Sequence, residues 1–143
     1  MTPEEAYRTA SIADKRLPEL EHIILTSSFY AYYYARDIIK GRWSAYTPYR
    51  AYDEASYCCK RLPELEDIIL TDPRIAYYYA RNIIKSRWEK AENVIMNHPL
   101  YCYCYAADVI KGKLPEKMHN MMILHAIKNS NDVWVKHYFE RIK

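Results

Sequence analysis

The chain repeats itself. Shifted by 45 positions, Arg16–Trp43 (RLPELEHIILTSSFYAYYYARDIIKGRW) falls on Arg61–Trp88 (RLPELEDIILTDPRIAYYYARNIIKSRW) with 21 of 28 positions identical, and the stretches from Thr2 and Thr47 agree at 7 of 14. A second period lies inside the first. Shifted by 26, Leu62–Trp88 lands on Trp88–Leu114, so that Pro73 meets Pro99, Tyr77 meets Tyr103, Tyr79 meets Tyr105 and Ile84-Lys85 meets Ile110-Lys111. Periods of 20–50 residues are the mark of stacked supersecondary units, each unable to bury its apolar face alone.

The unit reads as two helices. In the first, typified by Pro73 to Arg87, Ala76, Ala80, Ile83 and Arg87 share one stripe, with Tyr77, Ile84 and Trp88 on the stripe beside it, the spacing of an amphipathic helix. Asp72 is placed to cap it and Pro73 to open it, and Thr2-Pro3 and Thr47-Pro48 repeat the signal. The second helix, typified by Pro63 to Leu70, is short, with Leu62, Leu65, Ile68 and Ile69 as its buried edge and Glu64, Glu66 and Asp67 near its positive end. Sustained period-2 alternation is absent. The expected fold is all-α: a short right-handed α-solenoid of about ten helices. It forms a single domain over 1–143, with repeats at 2–46, 47–91 and 88–114 and a divergent cap at 115–143. Breaks are expected near Thr26–Ser28, Thr71–Pro73, Asn97–Pro99 and Gly112–Pro115.

The string Ala-Tyr-x-Tyr-Ala-x-x-(Ile/Val)-Ile-Lys, with copies at 31–43, 76–88 and 102–114, together with the Pro-Glu that follows Leu17, Leu62 and Leu114, resembles tyrosine-rich helical repeats of large-bacteriophage proteins. The resemblance covers roughly residues 16–116. It departs after Trp43, where Ser44 stands in place of Pro and the second helix is missing, and again at Cys102 and Cys104. It implies a phage protein acting in a bacterial host's cytoplasm and implies no particular activity.

The rest of the composition excludes more than it assigns. Only 2 of 143 residues are Gly, too few for a glycine phosphate loop. Lys and Arg number 21 against 18 Asp and Glu, without a polybasic tail. Met1–Glu5 is acidic with no apolar stretch behind it, and no run is long enough to span a membrane, so a cytoplasmic chain without a membrane role is expected. Cys58, Cys59, Cys102 and Cys104 stand where other copies have Ala, Asp, Ala and Tyr, which favours packing over a metal site or a disulfide framework. His119 and His125 flank a Met-rich run without a carboxylate at a fixed spacing, and no nucleophile motif is present. The recurring acids Glu19/Glu21 and Glu64/Glu66 read as compensation of helix dipoles. No catalytic residue, metal or cofactor is expected, and the chain is read as non-enzymatic.

Two surface features remain. Arg36, Lys40 and Arg42 recur as Arg81, Lys85 and Arg87, then as Ala107, Lys111 and Lys113. Stacked repeats turn such positions into basic columns, which suit a phosphate backbone or an acidic helix start. Of the tyrosine sets, Tyr32/Tyr77/Tyr103 and Tyr34/Tyr79/Tyr105 read as wedges between helices. Tyr33 and Tyr78 share a face with Lys40 and Lys85 and read as more exposed, as interface tyrosines are. The expected function is a protein-binding helical-repeat module engaging a host or host-defence protein, through Tyr33, Tyr78, Arg36, Lys40, Arg81, Lys85, Lys111 and Lys113. The alternative is nucleic-acid binding by the basic columns with Tyr33 and Tyr78. The oligomeric state is not legible.

Overall fold

The structure is a computed structural model that describes residues 1–40, 43 and 46–143. The chain is all-α as expected, and no strand occurs among the described residues. It divides into two compact units, Met1–Ile68 and Ile69–Lys143.

The first unit holds α1 (Pro3–Ala13), α2 (Pro18–Ile24), α3 (Ser28–Tyr34) with a π-turn at Ala35–Ile39, and α4 (Pro48–Cys58). A 3-10 turn at Pro63–Leu65 leads into α5 (Glu66–Ile69), at the junction of the two units. The second unit holds α6 (Pro73–Tyr79) with a π-turn at Ala80–Ile84, α7 (Glu89–Ile95), α8 (Pro99–Tyr105) with a π-turn at Ala106–Ile110, α9 (Glu116–Lys128) and α10 (Val133–Arg141). The expected breaks all fall between helices. Thr2 caps α1 through a reciprocal pair with Glu5, Thr47 caps α4, and the Asp72 carboxylate accepts the Arg74 and Ile75 N–H groups. Leu62, Leu65, Ile68 and Ile69 are buried, as the short-helix pattern requires.

The repeated long helix differs from expectation in its last turn. It does not run as an α-helix to Arg87. Its hydrogen bonds lengthen to i→i−5, Lys40 N–H reaching Ala35 O at 2.7 Å and Lys85 N–H reaching Ala80 O at 2.8 Å. The chain then leaves through a left-handed residue at Lys40, Lys85 and Lys111 (φ 58°, 59° and 61°). A π-turn holds one extra residue, so side chains beyond it rotate off the α-helical stripe. Ala76 and Ala80 are therefore fully buried, whereas Ile83 and Ile84 are only half-buried. Ile38, Ile39, Val109 and Ile110 are displaced in the same way.

The tyrosines take the interior instead. Tyr34, Tyr79 and Tyr105 are fully buried, and two of them show what their hydroxyls do. In the first unit the Leu17 N–H donates to the Tyr34 hydroxyl at 2.9 Å, and that hydroxyl donates to Glu21 at 3.1 Å. Arg16 grips the same carboxylate with Nε and Nη2 at 2.6 and 3.2 Å, and the Trp43 indole donates to it at 3.2 Å. In the second unit the Trp88 N–H donates to Tyr105 at 2.9 Å, Tyr105 donates to Glu92 at 2.8 Å, and Arg87 grips Glu92 at 2.8 and 3.0 Å. Arg61 and Glu66 form the same two-pronged pair. Glu21 and Glu66 are thus buried ligands of a polar lock, not surface counter-charges of a helix dipole, which corrects the expectation for the second acid of each pair. Glu19 and Glu64 are exposed. Burial pushes the Glu21 carboxyl up, but the Arg16, Trp43 and Tyr34 donors together hold it below its ordinary range.

The cap at 115–143 reuses half of this device. The Leu114 N–H donates to the buried Tyr138 hydroxyl at 3.1 Å, and His119 Nδ1 stands 2.7 Å from that oxygen, in the role the glutamate fills elsewhere. When the hydroxyl donates to His119 as its counterparts donate to Glu21 and Glu92, the imidazole is neutral and carries its proton on Nε2.

Candidate functional site

The eight residues singled out in the sequence are divided between the two units: Tyr33, Arg36 and Lys40 in the first, and Tyr78, Arg81, Lys85, Lys111 and Lys113 in the second. Each unit carries its own set, positioned by the π-turns that end the repeated helices.

In the first unit, Arg36 opens the π-turn after α3. It donates Nε and Nη2 to its neighbour Asp37 at 2.6 and 2.9 Å, and its guanidinium lies 4.5 Å from the centre of the Tyr33 ring and 5.7 Å from that of Tyr32. Asp37 also accepts the Tyr7 hydroxyl of α1 at 2.9 Å. The Arg36 guanidinium first, and the Tyr7 donor with it, hold the Asp37 carboxyl below its ordinary range against the opposing effect of burial. Tyr33 is half-buried rather than open. Its ring centre lies 4.8 Å from Phe29, 5.2 Å from Tyr32 and 6.4 Å from Tyr7, while Phe29 reaches Tyr57 of α4 edge-on at 5.1 Å. Tyr57 is 53% exposed. The result is an aromatic cluster spanning α1, α3 and α4 with a cation on one ring face and a phenol at its rim. Sequence reasoning missed Phe29 and Tyr57, because neither is repeated: Arg74 and Leu100 stand at the Phe29 position in the later copies, and Ile12 stands at the Tyr57 position in the first.

Lys40 is exposed and lines a cavity of about 310 Å³ with Tyr32, Arg36, Tyr46, Glu54 and Glu64. Glu54 is 2% exposed and accepts the Tyr46 hydroxyl. Burial first, and the nearby Glu64 and Asp53 charges, raise its carboxyl to about 7 despite the Tyr46 donor. Arg42, the third member of this basic set, lies outside the described residues.

In the second unit, Tyr78 is half-buried, its ring centre 5.4 Å from Tyr77. Tyr77 repeats the Tyr7 arrangement: its hydroxyl donates to Asp108, and Arg81 Nη1 approaches the same hydroxyl at 3.4 Å. Burial and the Asp108 carboxylate push the Tyr77 phenol upward. Arg81, Lys85 and Lys111 are exposed and line one cavity of about 360 Å³ with Arg87 and Asp108. Arg87, placed in the basic column, spends its guanidinium on Glu92. Lys113 is exposed and stands apart from that cavity, at the position where Arg61 and Arg87 stand in the other copies.

The four cysteines are free thiols. Cys102 is fully buried, its sulfur 3.3 Å from the Ile95 carbonyl, and burial pushes its thiol up to about 12. Cys59, where the first copy has Asp14, adopts the same left-handed helix-ending conformation as Asp14 (φ 54° and 49°). Among the described residues, no helix is long and apolar enough to cross a membrane. No protein-family model, curated protein or solved structure matches the chain.

Proposed function

We propose that the protein is a non-enzymatic helical-repeat module that binds a protein partner through the aromatic-cationic face of its first unit. The observation that carries this reading is the stacking of Arg36 on Tyr33 beside the exposed Tyr57. Tyr and Arg are the residues most enriched in the energetic centres of protein interfaces. The rings need no folding on binding, because Phe29, Tyr32 and Tyr7 already hold them and the Asp37 carboxylate orients the guanidinium. Pre-organisation of this kind reduces the entropy lost on association. The buried carboxylates and phenols of the repeats, in contrast, direct their hydrogen bonds to one another and to the backbone, a scaffolding use. The phage resemblance makes a bacterial host protein the class of partner. Affinity capture from bacterial lysate with the wild-type chain and with an Arg36→Ala/Tyr57→Ala variant tests the reading. A partner held in stoichiometric amount by the wild type and lost by a variant of unchanged melting temperature is expected. Equal capture by both chains would remove this face from the proposal.

A further inference from the structure

The second unit carries a feature that the protein-binding reading does not use. Lys85 and Lys111 occupy the same left-handed position at the ends of two successive repeated helices. With Arg81, Arg87, Ser86 and Asp108 they line a single cavity of about 360 Å³, in which four cations face one carboxylate. The charges are not equally available. Arg87 is matched by Glu92, and Asp108 accepts the Tyr77 hydroxyl. Among the described residues, neither Lys85 nor Lys111 has a carboxylate within ion-pair distance. The first unit differs at the equivalent positions: the cavity that Arg36 and Lys40 line contains two carboxylates, Glu54 and Glu64. In the next copy Ala107 replaces Arg81. Within the second unit, Arg81, Lys85, Arg87 and Lys111 therefore converge on one cavity.

We propose that this cavity binds a compact polyphosphate group, two or three linked phosphoryl units, either free or as the tail of a nucleotide. Its volume lies near the lower end of small-ligand sites, roughly 300–1,000 Å³. A ligand of that size needs more than one negative charge to match the two lysines, which a phosphate chain supplies. Lysine ammonium groups act as compact point charges on phosphate oxygens, and the Ser86 hydroxyl adds a neutral donor in the same wall. Both lysines are anchored at helix ends, so the site is offered by two elements that the lock of Arg87, Glu92 and Tyr105 holds in place. An extended nucleic-acid backbone, in contrast, requires cations that continue beyond a single cavity.

Titration calorimetry with sodium tripolyphosphate at low salt tests the proposal. The wild-type chain is compared with a Lys85→Asn/Lys111→Asn variant and with Lys40→Asn, which changes the matching left-handed position of the first unit. Asn accepts that backbone conformation, so thermal melts are expected to coincide. The expected result is saturable binding at one site, weakened roughly tenfold or more by the double change, since each tenfold loss corresponds to the removal of a modest charge contact, and unaffected by Lys40→Asn. ATP in place of tripolyphosphate separates the two sources: tighter binding of ATP assigns a nucleotide, and equal binding assigns the free polyphosphate. Absence of saturable binding, equal affinity in the double variant, or equal weakening by Lys40→Asn would overturn the site. Affinity for oligothymidylate that rises with length above that for tripolyphosphate would overturn it in favour of backbone binding.

Discussion

The Tyr105 hydroxyl donates to the Glu92 carboxylate at 2.8 Å while accepting the Trp88 N–H at 2.9 Å, so one buried oxygen ties the start of α7 to the end of α8. Replacing Tyr105 with Phe removes both bonds at once and leaves the Trp88 N–H without its acceptor. An unsatisfied buried donor costs about 1–3 kcal/mol. Urea denaturation of Tyr105→Phe is expected to show a loss in that range. Tyr103→Phe, whose ring is half-buried beside Trp134, is expected to stay within about 0.5 kcal/mol of wild type.

Glu54 makes stability fall as pH rises. Its carboxyl titrates near 7 in the folded chain against an ordinary 4.5. The folded state thus binds more protons than the unfolded state across that window. The stabilisation is fully present below about pH 4.5 and is lost as pH climbs through 7. A shift of this size corresponds to about 3 kcal/mol at most. Glu54→Gln, which stays neutral and retains a carbonyl to accept from Tyr46, is expected to flatten the profile. Its advantage over wild type, read by urea denaturation, should be larger at pH 8 than at pH 5; equal differences at both would show that Glu54 is not held protonated.

His119 acts in the opposite direction. Burial, and then the Lys113 charge, lower its folded pKa below the ordinary 6.5. The groups around the ring are Tyr138 and Phe139 of α10 and Lys113. Stability from the neutral ring is fully present above pH 6.5 and is lost as pH falls through the folded value. Protonation places a second donor against the Tyr138 hydroxyl, which already accepts from Leu114. An NMR titration is expected to place the His119 midpoint below 6.5. His119→Asn, whose amide oxygen accepts from Tyr138 at any pH, is expected to lose the acid-side decline of wild type.

The all-α class, the breaks and the caps were legible because each rests on local signals: a Pro at the first helical position, an Asp or Thr before it, and an apolar edge of known period. The lock was only half legible. Arg16, Glu21 and Tyr34 recur at constant spacing as Arg61, Glu66 and Tyr79 and as Arg87, Glu92 and Tyr105. Constant spacing does not distinguish an acid at a positive helix end from an acid buried under an arginine, since both need a carboxylate near the first turn. The basic positions were legible as a set, but their grouping was not. Asp37 grips the adjacent Arg36 and also accepts the Tyr7 hydroxyl, whereas Asp108 accepts the Tyr77 hydroxyl that Arg81 approaches, and both tyrosines lie about thirty residues from their aspartates in sequence.

The π-turn was invisible to the period, and it has the sharpest mechanical consequence. Ile75 and Ile83 belong to the same repeated helix, one before the π-turn and one inside it. Ile75 is 1% exposed, whereas Ile83 is half-buried because the extra residue of the turn rotates it away from the stripe shared by Ala76 and Ala80. The two substitutions Ile75→Ala and Ile83→Ala delete the same atoms, so their difference isolates burial. Deleting a buried Ile side chain costs about 2–5 kcal/mol, the sum of lost transfer energy and the cavity left behind. Ile75→Ala is expected to fall in that range. Ile83→Ala is expected to cost less than half as much, because its wild-type side chain already meets water and its removal leaves no closed cavity. Urea denaturation of both variants, with equal m-values as the sign that the unfolded states are comparable, checks the difference. Equal losses would mean that the helix keeps its α-helical register through Ile83, and Lys85 would then not sit at the left-handed exit that places it beside Lys111.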